Sequence, residues 1–264
     1  MEDGPQVELS IVIPAYNEAA GLDETLRTVT GYLDTRTSAS ELIVVDDGST
    51  DATAIILARH AAGRPALRVL RNEPNVGKGA SVRRGVLEAK GKYIFFMDAD
   101  LSVPIDELTG ALAALESSDR PVLIGSRKIR GARIERHQPR LRECLGYAFT
   151  GLARLLLWPA IVDFTCGFKG FRRDAARLLF GLQQCNDWAF DAEILYLARL
   201  TGTRVLQYPV RWSHQKNSRV RFPRDIYRTL AALVRIRWRA SHASTIDTVR
   251  PRCSAGGGAR TSGL

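Results

Sequence analysis

Short apolar runs alternate with amphipathic segments through the first half of the chain. The runs have the length and β-branched or aromatic content of strands, whereas apolar residues between them recur at helical spacing. This alternation predicts an α/β fold with a doubly wound, mostly parallel sheet flanked by helices. The predicted strands are 9–13, 41–45, 67–71, 93–97 and 122–125, and the predicted helices are 18–33, 52–62, one ending near residue 90, and 105–115.

The most informative polar motif follows the fourth predicted strand. Asp98 and Asp100 are two positions apart, so on an extended backbone their side chains point the same way. Open α/β sheets bind ligands at the carboxyl ends of their strands. Two carboxylates there suit Mg²⁺ or Mn²⁺ bound together with substrate phosphates. Polar motifs also follow the first three strands, at residues 14–18, 46–51 and 75–79, and their convergence predicts a ligand site.

The regular alternation stops at residue 126. Beyond it we predict a basic loop at 127–140, a helix at 142–157, a strand-like piece at 164–173, a helix at 187–200 and a strand at 204–210. The predicted units are a tail (1–7), a first half with alternating strands and helices (8–126), a second half (127–222), a basic amphipathic helix (223–241) and a disordered tail (242–264).

Positive charge is concentrated near the C-terminus. The 264-residue chain has a net charge of +10, and residues 204–239 hold ten Lys or Arg and one acid, a balance of +9 (10 − 1). Such a segment suits phosphates or anionic lipid headgroups. Nucleic-acid binding is the poorest interpretation, because no recognition motif for nucleic acid accompanies the charge.

The predicted helix 223–241 is basic along one side. At about 100° per residue, Arg224, Arg228, Arg235 and Arg239 form one stripe, and most apolar side chains lie opposite. Two compatible interpretations stay open. The helix lies in a membrane interface, or it packs on the domain with its arginines in water.

Other features narrow the class of protein. No apolar run reaches the roughly 18 residues of a membrane span, and residues 1–5 do not resemble a secretory signal. We therefore expect a cytoplasmic location, with peripheral contact at the cytoplasmic face of the membrane as an option. The four cysteines form no C-x-x-C pair, which favours reduced thiols over a zinc site.

Taken together, the strand-end motifs resemble the inverting glycosyltransferases of family 2, whose nucleotide-sugar-binding half has the GT-A fold. The matching stretches are 11–18 (IVIPAYNE), 44–51 (VVDDGSTD), 75–79 (NVGKG) and 98–100 (DAD). Within that family the chain resembles the dolichyl- or polyprenyl-phosphate β-glucosyltransferases and mannosyltransferases. Stretches 98–102 (DADLS), 125–127 (GSR), 166–172 (CGFKGFR) and 190–195 (FDAEIL) carry this closer resemblance.

The resemblance implies a set of donor-binding residues. Pro14, Tyr16 and Glu18 would hold the base and ribose, and Asp47 would contact the base. The motif positions that would hold the rest of the nucleotide sugar are Gly77, Lys78, Asp98, Ala99 and Asp100. Of these, Asp98 and Asp100 would bind the metal, Mg²⁺ or Mn²⁺.

The resemblance also implies acceptor-binding residues. Asp191 would act as a base or orient the acceptor, although an acid at a helix N-terminus also fits it. A phosphate acceptor needs cations, and Arg127 would take part directly in the reaction. The candidates for the acceptor phosphate are Arg127, Lys169, Arg172, Ser218 and Arg219.

These expectations lead to one preferred function. It is metal-dependent, inverting transfer of a hexose, with UDP-glucose the favoured donor, onto polyprenyl or dolichyl phosphate. The first alternative keeps the nucleotide-sugar donor and uses a soluble hydroxyl or amine acceptor. The second is a catalytically silent protein that binds sugar nucleotides.

Overall fold

The computed structural model describes residues 7–215 and 231–239. Its strands are β1 (Leu9–Ala15), β2 (Ser40–Asp46), β3 (Leu67–Arg71), β4 (Tyr93–Met97), β5 (Val122–Ser126), β6 (Arg133–Arg136), β7 (Phe168–Arg172), β8 (Val205–Pro209) and β9 (Arg211–Ser213). Its helices are α1 (Leu22–Asp34), α2 (Thr53–Ala61), α3 (Lys78–Glu88), α4 (Glu107–Ser117), α5 (Arg140–Leu156), α6 (Arg173–Leu182) and α7 (Phe190–Leu200). Residues 231–239 are also helical.

Seven strands form one sheet in the order β3-β2-β1-β4-β7-β5-β8. All neighbouring pairs are parallel except those of β7, which runs antiparallel to both β4 and β5. The predicted mostly parallel, doubly wound sheet is therefore confirmed. Strands β2 and β3 lie on one side of β1 and β4 lies on the other. The crevice at such a reversal is where open α/β sheets bind ligands.

Both faces of the sheet are buried, which explains why its strands read as continuous apolar runs. Phe95 and Phe96 are adjacent in β4 and fully buried, yet they point into opposite cores. Phe96 packs in the core that includes residues of α3, α6 and α7, and Phe95 packs in the core that includes residues of α1 and α4. The helices packed on the two faces of the sheet hold in place the strand ends that carry the polar motifs.

The second half departs from the predicted elements in three places. The predicted loop 127–140 contains β6, which pairs with β9. In the sequence, β6 has a single apolar residue, Ile134, and its partner strand is distant along the chain. The strand-like piece 164–173 shortens to β7, and Arg173 already begins α6. We did not predict α6, although its buried residues Ala175, Ala176, Leu179 and Phe180 have helical spacing.

Part of the predicted C-terminal helix lies in the described ranges. Ala232, Leu233 and Ile236 are buried in the core, whereas Val234 and Trp238 are exposed. The described portion thus packs on the domain, as one of the two interpretations expected. The rest of 223–241, Ser218, Arg219 and the tail 242–264 lie outside the described residues, and the unit boundaries stay a prediction. No helix in the described ranges is long and apolar enough to cross a bilayer.

Candidate active site

A cavity of about 1680 Å³ opens at the carboxyl ends of β1, β2 and β4. It brings together residues from all four strand-end motifs and from the second half of the chain. The predicted site residues that line it are Pro14, Tyr16, Glu18, Asp47, Gly77, Lys78, Asp98, Ala99, Asp100, Arg127 and Asp191. Residues far apart in sequence thus face one space, as the parallel sheet requires.

Asp47 organises the loop before α3. One carboxylate oxygen accepts hydrogen bonds from the Val76 amide at 3.1 Å and the Asn72 side-chain amide at 2.8 Å, and the other accepts from the Gly77 amide at 2.8 Å. Gly77 has a φ of +101°, and a Cβ there would lie 2.4 Å from the Asn186 carbonyl oxygen. Asp47 therefore shapes the cavity wall, while its predicted contact with a base stays a prediction.

The loops after β1 and β2 are tied to each other. The side-chain oxygen of Asn17, a residue with a φ of +54°, accepts the Thr50 amide at 2.7 Å. The Glu18 amide donates to the Thr53 hydroxyl at 2.8 Å. Tyr16, which directly precedes Asn17 and Glu18, keeps 39% of its surface exposed and lines the cavity. An open aromatic face is therefore held at the end of the cavity where the base is predicted.

Asp98 and Asp100 lie at the centre of the cavity wall. The Lys78 ammonium donates to Asp98 Oδ1 at 2.6 Å and lies 4.7 Å from the Trp188 ring centre. Asp100 accepts the Ser102 amide at 2.9 Å. Burial, together with the neighbouring charge of Asp98, raises the pKa of Asp100. Two carboxylates that repel each other in this way favour an added cation.

Gly167 determines where the Asp98 carboxylate can lie. The Asp98 amide donates to the Gly167 carbonyl at 3.1 Å. A Cβ at Gly167 would stand 1.9 Å from Asp98 Oδ2. Only glycine leaves the space that this carboxylate occupies, so the residue just before β7 helps to position Asp98.

The donor set fits a divalent cation. In the described part of the chain, no group of three or more His, Cys, Asp or Glu side chains forms a complete metal cage. Two carboxylates leave most of the positions around Mg²⁺ or Mn²⁺ to water and substrate phosphates, which is how such ions usually bind at phosphate sites. Asp98 and Asp100 are the residues that would hold the ion.

Lys169 does not contact the cavity, which corrects its predicted role as an acceptor ligand. Its ammonium is fully buried and donates to Asp191 Oδ1, to the Cys166 carbonyl at 2.7 Å and to the Phe164 carbonyl at 3.2 Å. These three bonds use all of its protons. Burial raises the pKa of Asp191, and the charges of Lys169 and Lys78 oppose that rise.

Arg127 lines the cavity but is held by an acid that we did not predict. Its guanidinium binds Asp163 in bidentate fashion, with both N–O distances 2.8 Å, and it also donates to the Thr165 hydroxyl at 2.9 Å. Asp163 is fully buried. Burial opposes ionisation, but Arg127 outweighs it and lowers the pKa of Asp163 to about 2. The positive charge of Arg127 is thus largely balanced by its partner.

Arg172 lies at the opposite edge of the sheet, and its predicted role is wrong. Because β7 is antiparallel, Arg172 pairs with Tyr93 at the start of β4. Its guanidinium donates to the Ser118 carbonyl and, at 3.3 Å, to that of Leu115 at the end of α4.

Two tryptophans and a lysine of the cavity wall were not predicted. Trp188 and Trp212 line the cavity, with Trp212 lying 5.4 Å from the Arg127 guanidinium carbon. Lys128, next to Arg127, also lines it. Trp188 could have been found from its place three residues before Asp191, but nothing in the sequence distinguishes Lys128 from other basic residues nearby.

Comparison with known proteins identifies the family. The profile described as "Glycosyl transferase family 2" matches residues 10–180. The chain belongs to this family. It is therefore a glycosyltransferase, as the strand-end motifs predicted.

Relatives of this glycosyltransferase include dolichyl-phosphate beta-glucosyltransferase ALG5C of Trichomonas vaginalis, which is 36% identical over 226 residues. That match covers 82% of this chain and 67% of the relative. Glycosyltransferase AglD of Haloferax volcanii is 33% identical over 248 residues, which cover 93% of this chain but 38% of AglD.

A solved structure supports the fold. Glucosyl-3-phosphoglycerate synthase of Mycobacterium tuberculosis, in complex with Mn²⁺, UDP-glucose and phosphoglyceric acid, superposes with a TM-score of 0.66 at 19% identity. The match covers 88% of this chain and 79% of that one. The GT-A fold is confirmed.

Proposed function

We propose that this glycosyltransferase moves glucose from UDP-glucose onto a polyprenyl phosphate, with inversion at the sugar. The observation that carries the proposal is one cavity with two charged ends. Asp98 and Asp100 after β4, with Lys78 at the start of α3, would anchor the diphosphate, and Lys128 brings positive charge after β5. The names of relatives support the proposed acceptor and the proposed donor. ALG5C is a dolichyl-phosphate glucosyltransferase, and the neighbouring synthase was solved with UDP-glucose and Mn²⁺.

On the donor side, Tyr16 would stack on the base and Glu18 would accept from ribose hydroxyls. Lys78, which neutralises Asp98 in this structure, is placed to contact the diphosphate once the donor binds. A divalent cation held by Asp98 and Asp100 would stabilise the negative charge of the departing nucleoside diphosphate. The remaining chemistry is positioning by the chain's own residues.

Inversion requires attack from the side of the sugar opposite the leaving group. A phosphate oxygen of the acceptor forms the new bond to the anomeric carbon as the bond to the UDP oxygen breaks. A phosphate monoester is already ionised near neutral pH, so this step needs no strong base. Asp191 would then orient the acceptor or the sugar hydroxyls. Its ion pair with Lys169 reduces its repulsion of an anionic acceptor.

A soluble acceptor is the second candidate. Asp191 is a buried carboxylate with a raised pKa at the cavity wall, which is what a general base for a hydroxyl acceptor requires. The neighbouring synthase was solved with phosphoglyceric acid. This reading keeps the donor chemistry and changes only the acceptor.

Peripheral contact with a membrane belongs to the preferred proposal, because a polyprenyl acceptor resides in one. Leu155, Val234 and Trp238 are exposed, at 78%, 60% and 62% of their surface. Exposed apolar side chains beside the arginines of 231–239 are the composition of a membrane-interface surface.

A panel of donors and acceptors, read by release of nucleoside diphosphate, tests the proposal. We expect the fastest turnover with UDP-glucose and vesicles that carry polyprenyl phosphate, little with the matching polyprenol, and loss of turnover with chelator. GDP-mannose, phosphoglycerate and vesicles without acceptor are the comparisons. Faster turnover with phosphoglycerate would favour the soluble acceptor. Full turnover in chelator would exclude the metal, and failure to pellet with vesicles would exclude membrane contact.

A further inference from the structure

Lys128 differs from the other cations of the acceptor side. Its ammonium donates to the Thr150 hydroxyl at 2.6 Å and lies 4.8 Å from the Tyr147 ring centre, and it lines the cavity. The Thr150 hydroxyl in turn donates to the Gly146 carbonyl at 2.9 Å. Helix α5 therefore holds the ammonium through a neutral hydroxyl and an aromatic face.

Within the described residues, Lys128 has no carboxylate partner. Arg127 takes both oxygens of Asp163, and Lys169 is bonded to Asp191. Burial, and then the charge of Arg127, lower the pKa of Lys128 against the attraction of Asp163. A partly buried ammonium without a counter-ion is costly, and an anionic ligand would relieve that cost.

The α5 side of the cavity carries apolar side chains together with one acid, Glu143. Leu145, Tyr147 and Phe149 line the same cavity, and Tyr147 is 54% exposed. An ammonium beside an aromatic and aliphatic wall matches a ligand with an anionic head and an apolar chain. A hydroxyl compound would leave the ammonium without a counter-ion.

We propose that Lys128 is the group that binds the acceptor phosphate and selects it over a hydroxyl, with Thr150 and Tyr147 positioning the ammonium. Arg127, whose charge is balanced by Asp163, has a structural role beside Lys128. This inference rests on the proposed function and deepens it, because it assigns the acceptor head group to one side chain that is not ion-paired. Transfer to the bound phosphate remains the displacement described above.

The first test compares steady-state constants of Lys128→Gln with the wild type. We expect KM for polyprenyl phosphate to rise about ten-fold to a hundred-fold, the range of a charged hydrogen bond, with KM for UDP-glucose unchanged. Lys128→Arg should restore most of the acceptor affinity. The control is Lys92→Gln, which removes an exposed lysine paired with Glu8 at the opposite edge of the sheet and should change neither constant. An unchanged acceptor KM in Lys128→Gln would overturn the inference.

Calorimetric titration separates this inference from the proposed function. Geranyl phosphate, geraniol and inorganic phosphate serve as probes against the wild type and Lys128→Gln. We expect the wild type to prefer geranyl phosphate over geraniol, and Lys128→Gln to lose that preference. If Lys128→Gln keeps it, the inference about Lys128 fails and the acceptor class stands. The wild type could instead show no preference for geranyl phosphate over geraniol, yet bind inorganic phosphate in a way that Lys128→Gln abolishes. The assignment of Lys128 as an anion site would then stand, and the proposal of a polyprenyl acceptor would fail. Binding of neither phosphate overturns both.

Discussion

The donor side of the cavity is carried by the loops after β1, β2, β3 and β4, whereas the acceptor side is carried by the residues after β5 and by α5 and α7. On the donor side, carboxylates accept bonds from backbone amides: Asp47 from Gly77, and Asp100 from Ser102. On the acceptor side, charges are buried in pairs. Arg127 binds Asp163 and Lys169 binds Asp191.

Charged side chains therefore have different roles on the two sides of the cavity. Asp47 and Asp100 are held by neutral amides, which leave their negative charge in place, although Asp98 is paired with Lys78. The donor side therefore attracts cations and is suited to a metal-bound diphosphate. Paired charges on the acceptor side cancel, so most of its cations contribute structure and little attraction. The number of basic residues in a motif therefore overstates the positive charge that a ligand would meet.

The largest expected effect is on the donor side. Asp100→Asn should keep the fold, since an amide oxygen can still accept the Ser102 amide, but should lower turnover about 1000-fold, the size of a lost electrostatic contact at a reacting centre. Turnover of the variant tests the predicted loss of activity, and its thermal unfolding tests whether the fold is kept. Asp119→Asn, which removes an exposed carboxylate paired with Arg204, is the control. Near-normal turnover of Asp100→Asn would contradict the claim that the negative charge of Asp100 on the donor side is needed for transfer.

The next effect should appear on the acceptor side as lost stability. Asp163→Asn leaves the Arg127 guanidinium buried without its counter-charge, which should cost about 3–5 kcal/mol of unfolding free energy. Asp34→Asn, which breaks an exposed pair with Arg64, should change stability far less. Denaturant unfolding measures both. Equal losses in the two variants would contradict the structural role of Asp163.

The same pair sets a pH dependence of stability. The folded pKa of Asp163 is lowered to about 2, so its contribution is complete above the ordinary carboxyl pKa of about 4. It should be lost as the pH falls from that value toward 2. In Asp163→Asn this part of the acid unfolding curve should be missing.

The smallest effect on turnover should come from Asp191→Asn, which also leaves the buried Lys169 ammonium without its counter-charge. With a phosphate acceptor that needs no base, we expect about a ten-fold fall in turnover, which is smaller than the roughly 100-fold or larger effect of removing a general base. The raised pKa of Asp191 means that its carboxylate protonates above the usual carboxyl range, so wild-type activity should fall as the pH drops through that raised pKa. The variant should lack this acid limb. A loss of several thousand-fold in turnover would instead make Asp191 a required base and favour a hydroxyl acceptor.

Much of the donor side could be predicted because its signals are local. A strand, the turn that follows it and the polar residues of that turn are adjacent in sequence, and a parallel sheet then brings the turns to one edge. Asp98, Asp100 and Lys78 were found in this way. The acceptor side was predicted less well, since Arg172 and Lys169 were assigned to the cavity from their motif although neither lines it.

The sequence by itself determined the α/β layering, the strand-end motifs and the family, because periodicity and short motifs are properties of neighbouring residues. Tertiary structure alone decided which cations meet the cavity. Arg127 and Asp163 are 36 positions apart, and Lys169 and Asp191 are 22 apart. A buried charge requires a partner, and only the folded chain shows which charges obtain one and that Lys128 has none among the described carboxylates.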